Sequence, residues 1–316
     1  MKNRIHYGLL YLGLLLILIP ISVYMLASSQ EEKPQDKKVL SVSDSIKPTL
    51  TPENTKESKL KNITDQYISS NEGNYSVVVK NLKTGEEYRY NPNKKYDSAS
   101  LYKLWVMAVA YQDIKDGKLK EDDVLSAPLI NLNDTLSTAT PTPTPPDFTP
   151  APVTGEPEKI SMTVGEALEK MITISDNYAA VLLSSKVGSK KIANFIKDFG
   201  FTNSNYKQPP QTSAGDISLF FETLYRGEII DLEYSEMMAG LLKRQTLNDR
   251  IPKYLDGVEV AHKTGELFAS KHDGGIVYSQ KGDYIIVVLS ETKDYKKAAE
   301  NIAKYSEAVF KYFEES

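Results

Sequence analysis

Hydrophobic and polar positions divide the chain into stretches of different period. An uncharged run from Tyr7 to Gln30 comes first, and its apolar part, residues 8–27, has the length of one membrane crossing. Residues 28–57 are polar, contain proline and show no period, which is the composition of a tether. From Ser58 onward the pattern is that of a folded domain. A short helical pattern (Leu60, Ile63, Tyr67, Ile68) precedes two strand-like runs, 74–80 and 87–90, joined by a Lys83-Thr84-Gly85 turn. Ser98 to Ala110 then reads as a helix that is apolar on nearly every face and so runs through a core, ending near Gly117. Residues 133–158 change abruptly to threonine and proline and predict an extended, exposed insertion. Helical patterns resume behind an N-cap threonine, Thr163, and continue over 177–187, 189–199, 213–227 and 234–244. Strand-like runs at 258–263, 275–279 and 284–290 and an amphipathic helix over 295–313 close the chain.

Strands at both ends with helices between them predict an α+β fold. One antiparallel sheet is built from both chain ends and flanked by helices, and an all-helical lobe, residues 98–249, is inserted into it, within a domain spanning 58–316. The boundary between such lobes is where a cleft is expected. At the other end, Lys2 and Arg4 precede the apolar run and keep residues 1–7 in the cytoplasm, so that everything after the crossing is extracytoplasmic. A cleaved signal ending near Ala27-Ser28-Ser29, which would release the domain, is the competing reading; the apolar run exceeds a usual signal core of roughly 7–15 residues and favours an uncleaved anchor.

Composition narrows the chemistry. A formal net charge of −4 argues against nucleic acid as a partner. With no cysteine, disulfides, thiolate catalysis and thiolate metal sites are excluded. The three histidines are His6, His262 and His272, and His6 lies beside the membrane segment, which leaves too few for a histidine-rich zinc centre. No metal or cofactor is expected, and nothing in the sequence demands more than a monomer.

Ser100 and Lys103 open the buried helix three residues apart, so they share a helical face. A neutral amine there can take the proton of the hydroxyl, and the helix dipole favours the anion that develops. The spacing alone means little, because Ser58/Lys61, Ser204/Lys207 and Ser290/Lys293 repeat it. Ser175-Asp176-Asn177 stands at a helix start, where these residue types are also ordinary caps. Lys263-Thr264-Gly265 ends the strand that contains His262; the same letters at Lys83-Thr84-Gly85 form a hairpin turn.

Taken in order, Ser100-x-x-Lys103, Ser175-Asp176-Asn177 and Lys263-Thr264-Gly265 resemble the signature of class A β-lactamases and penicillin-binding proteins. The stretches 162–168, 172–180 and 224–228 also look like the class A version, and the resemblance covers roughly residues 58–316. It implies a β-lactamase/transpeptidase-like fold in which Ser100 attacks a carbonyl with Lys103 as general base. Ser175 would relay a proton to the leaving nitrogen, and Asn177 would bind the side-chain amide of the substrate. Lys263 and Thr264 would hold a substrate carboxylate beside Gly265, and the backbone N–H groups of Ser100 and Glu266 would form an oxyanion hole. A lysine crowded by a second lysine is pushed toward its neutral, basic form.

The pattern breaks at one point. A competent class A β-lactamase uses a glutamate after the Ser-Asp-Asn helices to activate the deacylating water, and no glutamate occurs between Asn177 and Glu222. The segment 200–211 that stands there is about a dozen residues shorter than is usual for the family. Glu222, Asp198 and Asp216 fall on helical patterns and are poor substitutes. Enzymes of this fold with the loop shortened resemble D-alanyl-D-alanine carboxypeptidases. The expected activity is therefore an acyl-enzyme on peptidoglycan peptides with weak or no β-lactam turnover. A true β-lactamase and a non-hydrolytic β-lactam or muropeptide sensor are the alternatives. Residues 269–275 form a longer stretch than the usual class A hairpin, and His272 or Lys271 there is a candidate for binding the substrate carboxylate, against a plain exposed turn; His262 reads as structural, and Trp105 as core.

Overall fold

The structure, a computed structural model, describes residues 59–139 and 158–315. The expected membrane crossing, the tether and residues 140–157 of the insertion lie outside them. Among the described residues no helix is long and apolar enough to cross a membrane. A helical segment ending in a π-helical turn, Asp65–Ser69, leads into β1 (Asn74–Asn81), β2 (Glu87–Tyr90) and β3 (Tyr96–Asp97). A 3₁₀ turn, Ala99–Tyr102, runs straight into α1 (Lys103–Lys115), followed by β4 (Val124–Pro128), α2 (Leu129–Ala139) and β5 (Lys159–Thr163). Next come α3 (Val164–Thr173), α4 (Asn177–Val187), α5 (Ser189–Asp198), β6 (Gln211–Thr212), α6 (Ala214–Tyr225) and α7 (Leu232–Lys243). A 3₁₀ turn at Ile251–Tyr254, then β7 (Val260–Leu267), β8 (Ser270–Val277), β9 (Tyr284–Glu291) and α8 (Tyr295–Glu315) complete the fold.

The sheet has the order β2-β1-β9-β8-β7 and every pairing in it is antiparallel. The first long strand therefore lies beside the last, as expected for a sheet assembled from both chain ends. Its central strands β1 and β9 are apolar on both faces, so there the period-2 alternation sorts residues between two cores instead of between core and water. Val77, Val79, Ile286 and Val288 point into one core with Ile302, Tyr305 and Val309 of α8. Val78, Ile285, Val287 and Leu289 point into the other, with α1 and the helical lobe.

Helix α1 is the axis of that second core. It touches α3, α4, α5 and α7, and Leu104 to Tyr111 are all buried, Trp105 among them. With no polar face to offer, this segment is stable only when enclosed. Thr163 caps α3 through a capping box with Glu166, and Asp176, Ser213 and Asp231 accept backbone N–H groups at the starts of α4, α6 and α7.

Two expectations need correction. The insertion does not begin as extended chain, because α2 covers its first residues. Leu129, Leu132 and Leu136 recur at helical spacing, Leu132 is buried, and Tyr178 Oη on α4 donates to Asn133 Oδ1 at 3.0 Å. The threonine-rich composition hid that stripe. The hairpin of β4 with β5, Val124 opposite Thr163 through Pro128 opposite Lys159, closes the base of the insertion. Second, residues 269–275 are not a long turn. β8 starts at Ser270, is paired on both edges and is buried throughout, so only Phe268 and Ala269 turn the hairpin.

At Gly275, opposite His262, an added Cβ would stand 2.4 Å from the Ala261 carbonyl oxygen and 2.6 Å from His262 Cβ. Gly275→Ala is expected to destabilise the domain by about 1–3 kcal/mol, read as a lower denaturant midpoint at unchanged slope.

Candidate active site

Three elements converge on one edge of the sheet: the 3₁₀ turn that opens α1, the turn between α3 and α4, and strand β7. The first carries Ser100. Its approach is tightly held, since Ser98 N–H donates to the Pro210 carbonyl at 2.8 Å and Ala99 N–H to Asp97 Oδ1 at 3.0 Å. Ala99 takes a φ of +44°, a conformation that a non-glycine residue adopts only when its surroundings impose it. In a 3₁₀ turn residues i and i+3 eclipse, so Ser100 and Lys103 stack on one side. Among the described residues Ser100 Oγ makes no hydrogen bond, which leaves the hydroxyl unengaged.

The Lys103 amine instead reaches the turn between α3 and α4. It donates to the Ser175 carbonyl at 2.6 Å, to Ser175 Oγ at 3.2 Å and to Asn177 Oδ1 at 2.8 Å. Ser175 sits at φ +59°, the second strained non-glycine residue of the site. The Lys263 amine donates to the same Ser175 Oγ at 2.9 Å and to the Thr264 carbonyl at 2.9 Å. One hydroxyl oxygen thus accepts from two lysines, so its own hydrogen is left for a group in the cleft. With Asn177 Oδ1 taken by Lys103, the amide NH₂ of Asn177 is likewise left for a ligand.

Both amines are fully buried. Burial pushes Lys103 down to about 7, against a smaller opposing pull from Asp176. Lys263 is held well below the usual lysine range, by burial first and then by the charge of Lys103, with Asp273 acting in the other direction and Arg250 adding to the depression. A serine flanked by an amine that is part neutral near pH 7 has the parts of an activated nucleophile.

Gly265 allows β7 to lie against this turn, because a Cβ there would meet Leu101 Cγ and His272 at 3.2 Å. The other face of β7 carries His262, Thr264 and Glu266, with Asp273 directly across from Thr264. Arg250 folds onto that face. It is 2% exposed and its Nη2 donates to Glu266 Oε2 at 2.7 Å, while Lys271 pairs with the same Glu266 oxygen. Sequence reasoning missed Arg250. It belongs to no motif, and only its burial beside Lys263 marks it as a third cation of the site.

The structure brings Lys103, Ser175, Asn177 and Lys263 into direct contact, with Ser100 at the start of the Lys103 helix and Gly265 against the Ser100 turn, and it places Thr264 and Glu266 on the opposite face of the same edge strand. It removes His272. That ring is wholly buried behind the Ser100 turn, packed edge-on against Tyr96, with Nε2 2.9 Å from the Asp97 carbonyl and Nδ1 3.1 Å from Ser290 N. Because a backbone N–H can only donate, Nδ1 is the acceptor and Nε2 carries the hydrogen. Burial lowers its pKa to about 4, so the ring is neutral in ordinary buffers and has no free nitrogen for a carboxylate. Its effect is to pin the chain three residues before Ser100. Lys271 is likewise engaged by Glu266.

The acids nearest in sequence to the 200–211 loop, Asp198, Asp216 and Glu222, are engaged or exposed. Asp216 Oδ2 accepts from Asn203 N at 2.8 Å and Ser204 Oγ at 2.7 Å, which ties the 200–211 loop to α6. Glu222 is engaged by Lys80 at 2.6 Å and by Arg226, and Asp198 is exposed on α5. The loop itself lies on the Ser100 segment through the pairing of β3 with β6 and through Tyr206, whose ring centroid is 5.9 Å from that of Tyr102.

A sheet edge, a buried helix and serine–lysine contacts at their junction define a β-lactamase/transpeptidase-like serine hydrolase. Comparison with known proteins agrees. Residues 56–313 match the model of the Beta-lactamase enzyme family. A β-lactamase of Bacillus licheniformis is 23% identical over 233 residues, which span 68% of this chain and 70% of that protein. Among solved structures, PBP-A superposes with a TM-score of 0.69 at 21% identity, covering 82% of this chain and 97% of its own. A β-lactamase from Sphaerobacter thermophilus gives 0.68 at 19% identity, covering 82% and 98%. The chain belongs to the Beta-lactamase enzyme family and is a serine hydrolase.

The depressed amine has a consequence for stability. Unfolded, Lys103 titrates near 10.5; folded, it titrates near 7, so between these values the unfolded chain holds the extra proton. Stability therefore rises with pH across that window and levels off below about 7. Denaturant unfolding at pH 7, 8 and 9 is expected to show a steeper rise in the wild type than in Lys103→Met.

Proposed function

We propose that the protein forms an acyl-enzyme at Ser100 on D-Ala-D-Ala peptidoglycan peptides and turns β-lactams over weakly or not at all. The observation that carries this reading is the short 200–211 loop. It lies against the Ser100 segment without a carboxylate of its own; nearby Asp216 is bonded to the loop's own Asn203 and Ser204, Glu222 to Lys80, and Asp198 is exposed on α5.

In this reading neutral Lys103 takes the proton of Ser100 Oγ as the oxygen bonds to the substrate carbonyl carbon. The resulting oxyanion is met by the backbone N–H groups of Ser100 and Glu266. The carbon–nitrogen bond then breaks, and Ser175 passes a proton to the departing nitrogen, drawing on the lysines bonded to its oxygen. Lys263, Thr264 and Arg250 hold the substrate carboxylate, and Asn177 holds the amide on the acyl side. Hydrolysis of the ester completes the cycle with no metal or cofactor. The domain acts outside the cytoplasm as a monomer, tethered by the N-terminal apolar segment.

A β-lactam as acyl donor is supported by a relative: a variant of PBP-A is known as an acyl-enzyme complex with penicillin G. The second reading, a true β-lactamase with another deacylation route, is favoured by the Bacillus licheniformis relative, itself a β-lactamase. The intact mass of the protein after mixing with penicillin separates the two. A persistent adduct that Ser100→Ala abolishes is expected; an adduct that vanishes as penicillin is consumed would establish the second reading. Because the base must be neutral, the rate of adduct formation is expected to fall tenfold per pH unit well below pH 7 and to level off above it. A flat profile from pH 5 to 8 would exclude Lys103 as the base.

A further inference from the structure

Two buried groups on the Thr264 face of β7 and β8 take no part in the chemistry described above. His262 is 1% exposed and Asp273 is fully buried, and their side chains meet with Nδ1 2.9 Å from Oδ1. Each has a second partner, and the two partners flank Arg250. His262 Nε2 lies 3.1 Å from Asn248 Oδ1, and Asp273 Oδ2 accepts the backbone N–H of Ile251 at 3.0 Å. Thus one residue beside Arg250 and one two positions before it are bound to a single rigid pair on the sheet.

Arg250 needs such support. It lies in an irregular segment between α7 and the 3₁₀ turn, its Nε is buried with no hydrogen-bond partner among the described residues, and its side-chain anions, Glu266 at 2.7 Å and Asp249 at 3.6 Å, are both half-exposed. An ion pair that open to water is worth little as an anchor. Burying a histidine and an aspartate also costs desolvation, which a packed apolar pair would avoid. We propose that His262 and Asp273 are a positioning pair that grips both flanks of Arg250 and keeps its guanidinium on the Thr264 face of β7, where the acyl donor's carboxylate is read. The inference rests on the carboxylate site proposed above. Charged groups facing the pair are Arg250, Lys263, Glu266 and Lys271.

The test compares adduct formation on the full chain by penicillin G and by its carboxylate methyl ester, as the ratio of second-order rate constants. The wild type is expected to prefer the acid, and Arg250→Ala to lose that preference. His262→Asn keeps an amide nitrogen for Asp273 but cannot reach Asn248, and Asn248→Ala removes the same bond from an exposed position that folding tolerates. Both leave the Asp273 charge beside Lys263 in place. Each is expected to lower the acid-over-ester ratio about fivefold, and the double variant no further than either alone. An unchanged ratio, or acid and ester rates that fall in proportion, in folded Asn248→Ala overturns the proposal even if His262→Asn does not fold. If Arg250→Ala keeps the preference while Thr264→Val loses it, the carboxylate site stands and the positioning pair falls. A wild type without any acid preference removes both.

Discussion

Everything in this domain depends on placing two lysine amines around one serine hydroxyl without water. Lys103 and Lys263 come from a buried helix and a sheet edge, 160 residues apart in sequence, and both donate to Ser175 Oγ. Two ammonium groups so close, and both buried, repel each other and lose their hydration, so one is driven toward the neutral amine. The fold must supply enough stability to hold that arrangement. It does so with central strands that are apolar on both faces and a helix buried from Leu104 to Tyr111.

Strained backbone is found at the same place. Ala99 and Ser175 both have positive φ, and each stands at a point where a carbonyl or hydroxyl must turn toward an amine or toward the nucleophile. The surrounding hydrogen bonds hold these conformations. His272 ties the Asp97 carbonyl, Pro210 accepts Ser98 N–H, and Asp176 caps α4 immediately after Ser175. A residue taken for a substrate ligand thus belongs to the scaffold that aims the nucleophile. The 200–211 loop serves the same scaffold, because Asp216 spends its carboxylate on the loop's own backbone and Ser204.

The face of β7 turned away from Lys263 tells the complementary story. Thr264, Glu266, His262 and Asp273 share it because of strand alternation and cross-strand pairing, and Arg250 is laid over it by a segment that no motif announces. The cationic side of the cleft is therefore built from two strands and an irregular turn, while the nucleophilic side is built from helix starts.

The sequence by itself determined the elements whose signal is local. Helix periods and cap residues placed α3 to α8 and the sheet of both chain ends, and short motifs in order marked Ser100, Lys103, Ser175, Asn177, Lys263 and Thr264 as candidates through a family resemblance. It also showed the missing glutamate, because an absence over a whole interval needs no coordinates. Tertiary structure decided what depends on neighbours. The leucine stripe of α2 has meaning only against α4, and β8 is a full strand only because β7 and β9 pair with both its edges. Whether His272 faced substrate or scaffold turned on which face of β8 lies against Asp97 and the Ser100 turn, and Arg250 became visible only when burial set it beside Lys263. Spacing along a chain encodes which residues share a face; which face is covered, and by what, is settled by packing between segments distant in sequence.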